Sequence, residues 1–145
     1  MSILIEQIKE IVKDTDEIAI LANCSAILNE SFYDINWVGF YLIKNDELVL
    51  GPFQGKVACS HIPFEKGVCG KCVRTKESQL ITNVHKFDGH IACDSVSNSE
   101  LVVPLIYEDQ IFGVIDVDSP TINYFTKKQQ KEMEAVAKLI AQRLA

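Results

Sequence analysis

A chain of 145 residues, 48% hydrophobic and 23% charged, has the length and balance of one ordinary globular domain. A net charge of −6 and a pI near 5.0, with no run of Lys or Arg, disfavour a nucleic-acid backbone or an anionic membrane surface as partner. The N-terminus is acidic where a signal peptide is basic, and no apolar run approaches the ~20 residues of a spanning helix. The expectation is therefore one soluble, cytoplasmic domain over residues 1–145, with no nucleic-acid and no membrane partner.

Apolar residues at Ile3, Leu4, Ile8, Ile11 and Val12, then at Ile18, Leu21, Ala22, Ile27 and Leu28 beyond the polar break Asp14-Thr15-Asp16, predict two N-terminal helices. From Trp37 the pattern changes to aromatic and β-branched residues. Residues 37–43 and 47–50, joined by Lys44-Asn45-Asp46, predict a β-hairpin. The Gly51-Pro52-Phe53-Gln54-Gly55 stretch reads as an interruption, after which residues 56–63 alternate enough for a third strand, with Cys59 late on it. Two glycines precede a predicted short helix within residues 65–74, and residues 79–82 resemble a brief strand. A long polar loop then runs from Asn83 to Asn98. Residues 100–107 and 111–118 are strong apolar runs separated by a turn, and Pro120 ends the second. The chain closes with a helix whose N-cap is Thr126, whose capping box is completed by Gln129, and whose apolar face is Met133, Val136, Ala137, Ile140 and Leu144. Helices at both ends of a meandering sheet indicate an α+β layered domain.

Five cysteines, Cys24, Cys59, Cys69, Cys72 and Cys93, cannot all pair within one chain. A reducing cytosol also argues against a structural disulfide framework. Cys24 fits burial in the second helix. Cys69-x-x-Cys72, with Cys59, His61, His85, His90 and Cys93, supplies enough donors for zinc, but no second close ligand pair accompanies it, so no metal site is assigned. Cys69 at the start of a helix has a route to a lowered thiol pKa. Cys93 is the candidate nucleophile, because Gly89-His-Ile-Ala-Cys-Asp94 crowds reactive groups into a loop that precedes a rigid strand. Asp116 and Asp118 fall on one face of their strand, and Glu100 opens its neighbour. Acids so placed cost desolvation unless a cationic or donating group meets them.

Six stretches in order, Asn36-Trp-Val-Gly-Phe-Tyr41, Leu50-Gly-Pro-Phe-Gln-Gly55, Gly67-Val-Cys-Gly70, Gly89-His-Ile-Ala-Cys-Asp94, Ser97-Asn-Ser-Glu100 and Gly113-Val-Ile-Asp-Val-Asp118, resemble the free methionine-(R)-sulfoxide reductases. The resemblance covers the chain from about residue 36 to its end, and Cys72 departs from it. It implies a single GAF-type domain with a central antiparallel sheet of about five to six strands and the N- and C-terminal helices packed on one face. It also implies that Cys93 attacks the sulfoxide sulfur of free methionine (R)-sulfoxide and becomes a sulfenic acid. By the same resemblance Cys59 is the resolving thiol, Cys69 an alternative or relay, and thioredoxin the external reductant, with no bound cofactor. Glu100, Asp116 and Asp118 match positions that hold the substrate ammonium and polarise the sulfoxide. Trp37 and Tyr41 supply an apolar wall for the sulfur methyl group, and backbone N–H groups of Ile91, Ala92 and Cys93 are expected to meet the substrate carboxylate. A small-ligand or redox-sensing GAF module without turnover is the alternative. Pairing of the terminal helices across a two-fold axis gives the expectation of a homodimer, and His90 reads as structural.

Overall fold

Strand β1 (Trp37–Lys44) organises the molecule, because it is apolar on both faces and pairs antiparallel on both edges, with β2 (Glu47–Gly55) and β6 (Gln110–Ser119). The computed structural model describes residues 2–90 and 95–145. Its other elements are α1 (Ile3–Ile11), α2 (Glu17–Ser31), β3 (His61–Pro63), α3 (Gly67–Thr75), β4 (Gln79–Ile81), β5 (Ser99–Tyr107) and α4 (Lys127–Leu144). A single 3-10 turn, Val84–Lys86, lies in the long loop. The strands form one six-stranded antiparallel sheet in the order β3-β2-β1-β6-β5-β4.

Alternation along the central strands divides the core into two layers. Val38, Phe40 and Leu42 of β1 point to one face with Leu101, Val103, Leu105, Ile115 and Val117, and α1, α2 and α4 cover them. Trp37 and Tyr41 point to the other face with Val102 and Val114, where α3 packs through Val68, Cys69, Cys72 and Val73. Both faces are buried, which explains why β1, β5 and β6 read as nearly continuous apolar runs. The expected placement of the terminal helices on one face is thus observed, and α3 is the helix among the described residues that covers the other.

The helix ends follow their capping chemistry. Ser2 Oγ accepts the Ile5 N–H, and Asp16 accepts the Ala19 N–H. Thr126 and Gln129 form the reciprocal box, with the Gln129 N–H donating to Thr126 Oγ1 and the Thr126 N–H donating to Gln129 Oε1. Met133, Val136, Ala137 and Ile140 of α4 are buried as the periodicity requires, and Leu144 packs at the margin of that core. Cys24 is buried in the same layer, with its thiol pushed up to about 12 by desolvation.

One sequence expectation is corrected. Residues 51–55 do not interrupt the hairpin but continue β2 to Gly55, while residues 56–60 are irregular and only His61–Pro63 form β3. The register explains how Pro52 is tolerated: Gly39 faces Phe53 and Tyr41 faces Leu50, so Gly51 and Pro52 together oppose Phe40. That extra residue makes a β-bulge, where a missing N–H is tolerated. Cys59 consequently sits in an irregular segment rather than late on a strand.

Candidate functional site

Sheet register assembles the site from residues far apart in sequence. Asp118 on β6 faces Trp37 on β1 on one side and Glu100 on β5 on the other, which gives a row of three side chains across the sheet. Asp116 lies two residues away on the same face, opposite Gly39 on β1 and Val102 on β5. Tyr41 is two residues beyond Gly39. Trp37, Tyr41, Glu100, Asp116 and Asp118 line a small cleft of about 40 Å3, together with Val68 and Cys69 of α3, Ala58, His90 and Ser97.

Gly39 makes the aromatic part of this wall possible. A Cβ there would fall 2.3 Å from Phe53 Cβ and 2.9 Å from Trp37 Cη2. With no side chain at that position, the Trp37 indole lies over the sheet, stacked on Phe53 at 5.2 Å and on Tyr41 at 5.9 Å between ring centroids. On the opposite wall, Gly70 lets α3 press against the backbone before it, since a Cβ there would meet Phe64 O at 2.5 Å. That approach brings the first turn of α3, including Cys69, over the carboxylates.

Burial dominates the electrostatics. It pushes Glu100 up to about 8, with the Asp118 charge adding to the effect. Burial likewise holds Asp116 well above the ordinary carboxylate range, reinforced by Glu100, and raises Asp118, reinforced by Asp116. Three acids this close cannot all ionise without a cation, so the cluster retains protons near neutral pH. Among the described residues, the buried Asp116 Oδ1 has no hydrogen-bond partner. His90 Nε2 stands 3.6 Å from Glu100 Oε1, and partial burial lowers the His90 pKa, which favours the neutral ring. The structural role expected for His90 therefore has to be enlarged, because its ring also forms part of the cleft wall.

The cysteines separate into distinct environments. Cys69 is buried, and desolvation together with Asp116, Glu100 and Asp118 raises its thiol pKa well above the usual value. The activation expected from its place in the first turn of α3 is thus overturned, since burial and three acids outweigh the helix terminus. Cys72, one turn further along α3, is fully buried and pushed up to about 12, chiefly by desolvation. Cys24, Cys69 and Cys72 carry free thiols, whereas Cys59 is disulfide-bonded. Ile91, Ala92 and Cys93 lie outside the described residues. The loop that contains them is anchored before and after: Gly89 O accepts the Gly67 N–H at the start of α3, and the Asn98 N–H donates to Ser119 O.

The Cys69 sulfur and a carboxylate oxygen from each of Glu100 and Asp116 lie within 4.8 Å of one another, a donor set suited to a cation. The other donors noted in the sequence go elsewhere. His61 meets Glu47 at 2.7 Å, and His85 meets Asn98 Oδ1 at 2.7 Å, both in exposed positions. Phe53, Ala58 and Val68 were not singled out from the sequence. Phe53 was accessible in principle, since it lies within a recognised stretch, but only the bulged register shows that it backs the Trp37 ring.

A six-stranded antiparallel sheet with three helices on one face and a cleft under a fourth helix on the other is the architecture of a GAF domain. The GAF-domain family model matches residues 14–145. The chain is 52% identical over 129 residues to the free methionine-R-sulfoxide reductase of Escherichia coli, covering 89% of this chain and 76% of that protein. It is 46% identical over 128 residues to the free methionine-R-sulfoxide reductase of Saccharomyces cerevisiae, covering 83% of this chain and 71% of that one. The structure of the Neisseria meningitidis enzyme in complex with its substrate superposes with a TM-score of 0.92 at 41% identity, over 97% of this chain and 85% of that chain. The protein belongs to the free methionine-R-sulfoxide reductases.

Proposed function

We propose that the protein reduces free L-methionine (R)-S-oxide to methionine. The observation that carries this reading is the convergence of Glu100, Asp116 and Asp118 beside the Trp37 ring in one cleft. A free amino acid brings an ammonium group, which a methionine inside a polypeptide lacks. Such a cation relieves the desolvation and mutual repulsion of the buried acids and gives Asp116 Oδ1 a donor. The Trp37 and Tyr41 rings offer an apolar wall to the sulfur methyl group, and the N–H groups of Ile91, Ala92 and Cys93 complete the site at the substrate carboxylate.

In this reading the Cys93 thiol takes the sulfoxide oxygen: the sulfoxide S–O bond breaks, methionine leaves, and Cys93 becomes a sulfenic acid. A protonated member of the acid cluster hydrogen-bonds the oxygen as it departs. Cys59 then displaces the oxygen of the sulfenic acid as water and forms a disulfide with Cys93, which thioredoxin reduces by thiol–disulfide exchange. The disulfide-bonded state of Cys59 beside three free thiols supports its role as resolver over Cys69, whose raised pKa leaves it a poor nucleophile and fits it for reserve or relay. No bound cofactor takes part.

Among the described residues no helix is long and apolar enough to cross a membrane, and a cytoplasmic location would suit recycling by thioredoxin. Pairing through the terminal helices as a homodimer completes the reading, with Ile3 at the exposed end of α1 available for it.

The deciding measurement is thioredoxin-coupled NADPH oxidation with free methionine R-sulfoxide, the S epimer and a sulfoxide-containing peptide. Turnover is expected only with the free R epimer and is expected to vanish in Cys93→Ser. Ligand binding without turnover would instead identify a sensing module.

A further inference from the structure

The irregular segment 56–60, which carries Cys59, has little of its own to hold it. Lys56, Val57 and Ser60 are exposed, Val57 to 89%, and no regular ladder runs through the segment. Besides the Cys59 disulfide, three hydrogen bonds tie it down. The Trp37 indole N–H donates to Lys56 O at 3.1 Å, the Tyr41 hydroxyl donates to Cys59 O at 2.9 Å, and the Leu50 N–H donates to Ser60 O at 2.9 Å. Two of these ties come from aromatic side chains of the cleft wall, and one of them ends on the backbone of the cysteine itself.

We infer that the Tyr41 hydroxyl is a positioning group for the resolving thiol, holding the backbone of Cys59 in place for disulfide formation. This rests on the assignment of Cys59 as resolver in the proposed reaction. Tyr41 is suited to the task because its ring is fixed: it is buried, stacked on Trp37, and borne on a strand paired on both edges. Its hydroxyl is also held as a donor, since burial and the surrounding acids raise its pKa. The hydrogen bond coexists with the disulfide-bonded state of Cys59, so the tethered geometry is one in which its sulfur is bridged. In the reduced enzyme, where Cys59 is not bridged, a segment held by a few hydrogen bonds loses local order when such a tie is cut, and small misplacements of a reacting group are costly in rate.

The step at issue joins Cys59 Sγ to Cys93 Sγ while the sulfenic S–O bond breaks and the oxygen leaves as water with the Cys59 thiol proton. Tyr41→Phe keeps the ring and removes only the tether. In rapid-quench experiments on the reduced enzyme, methionine release reports the first step, the appearance of disulfide reports the second, and dimedone added during turnover traps the sulfenic acid between them.

Tyr41→Phe is expected to slow disulfide formation about tenfold more than it slows methionine release and to raise the dimedone-trapped fraction severalfold. Equal slowing of both steps would assign Tyr41 to substrate binding or folding alone and overturn the inference, as would an unchanged rate of disulfide formation. Cys59→Ser separates the resolver assignment from the positioning role. If that variant accumulates no sulfenic acid, the resolver assignment itself falls. If it does accumulate sulfenic acid while Tyr41→Phe resolves at the parent rate, only the positioning role is lost.

Discussion

Glu100 and Asp118 face each other directly across the β5–β6 ladder, in a non-polar layer where neither has a cationic partner among the described residues. The arrangement is costly in the unliganded protein, and its cost depends on pH. The folded pKa of Glu100 is raised from the ordinary 4.5 to about 8, so its contribution to stability is fully present below about 4.5 and is lost as pH rises through about 8. Asp116 and Asp118 shift in the same direction and extend the loss upward. The unliganded enzyme is therefore expected to melt several degrees lower at pH 8.5 than at pH 6, and Glu100→Gln is expected to flatten that dependence. Scanning calorimetry across this range checks it; an unliganded melting temperature that rises toward pH 8.5 would contradict the acid-cluster account.

The same cluster sets selectivity. Trp37 is the only tryptophan in the chain and lines the cleft, so its fluorescence reports occupancy directly. In a Cys93→Ser background, free methionine sulfoxide is expected to change that signal, whereas the N-acetyl derivative, which lacks the ammonium charge, is expected to leave it unchanged at the same concentrations. Asp116→Asn is expected to weaken binding of the free amino acid by about tenfold to a hundredfold, the range for losing one charge-assisted hydrogen bond. Equal affinity for the acetylated compound would remove the physical basis for preferring the free form.

Stability on the far face of the sheet is independent of this chemistry. Ile140 is completely buried in the layer of α1, α2 and α4, and Ile140→Ala is expected to cost about 2–5 kcal/mol, while Thr126→Ala, which opens the capping box of α4, is expected to cost about 1 kcal/mol. Urea denaturation measures both. The two losses should add, since the residues lie about four turns apart on one helix.

How much of this was readable beforehand depends on the distance over which each feature is decided. The capping box at Thr126, the apolar stripe of α4 and the turn between residues 107 and 110 are local patterns, and the sequence displays them. The continuation of β2 through Pro52 is not local, because it depends on a bulge opposite Phe40 that only the partner strand reveals. Glu100, Asp116 and Asp118 could be suspected from their parity along two strands, whereas the row Trp37, Asp118, Glu100 required the strand order. Cys69 shows the limit most clearly. Its position in the first turn of a helix suggested an activated thiol, and the three acids that reverse the sign come from strands 31 to 49 residues further along the chain.

Cys72 offers a last test because no role falls to it in the proposed reaction. It is completely buried against the sheet, its thiol is pushed up to about 12, and it is not among the groups that converge with Glu100 and Asp116 at the cleft. A thiol so protonated and enclosed neither attacks a sulfenic acid nor meets thioredoxin at a useful rate. Cys72→Ala is therefore expected to keep turnover within about twofold while lowering stability by about 1 kcal/mol for the small cavity it leaves. Peptide mapping of the enzyme oxidised by one equivalent of substrate should find Cys72 unbridged. A Cys69 to Cys72 disulfide as the sole product would transfer the resolving role from the tethered segment at Cys59 to α3.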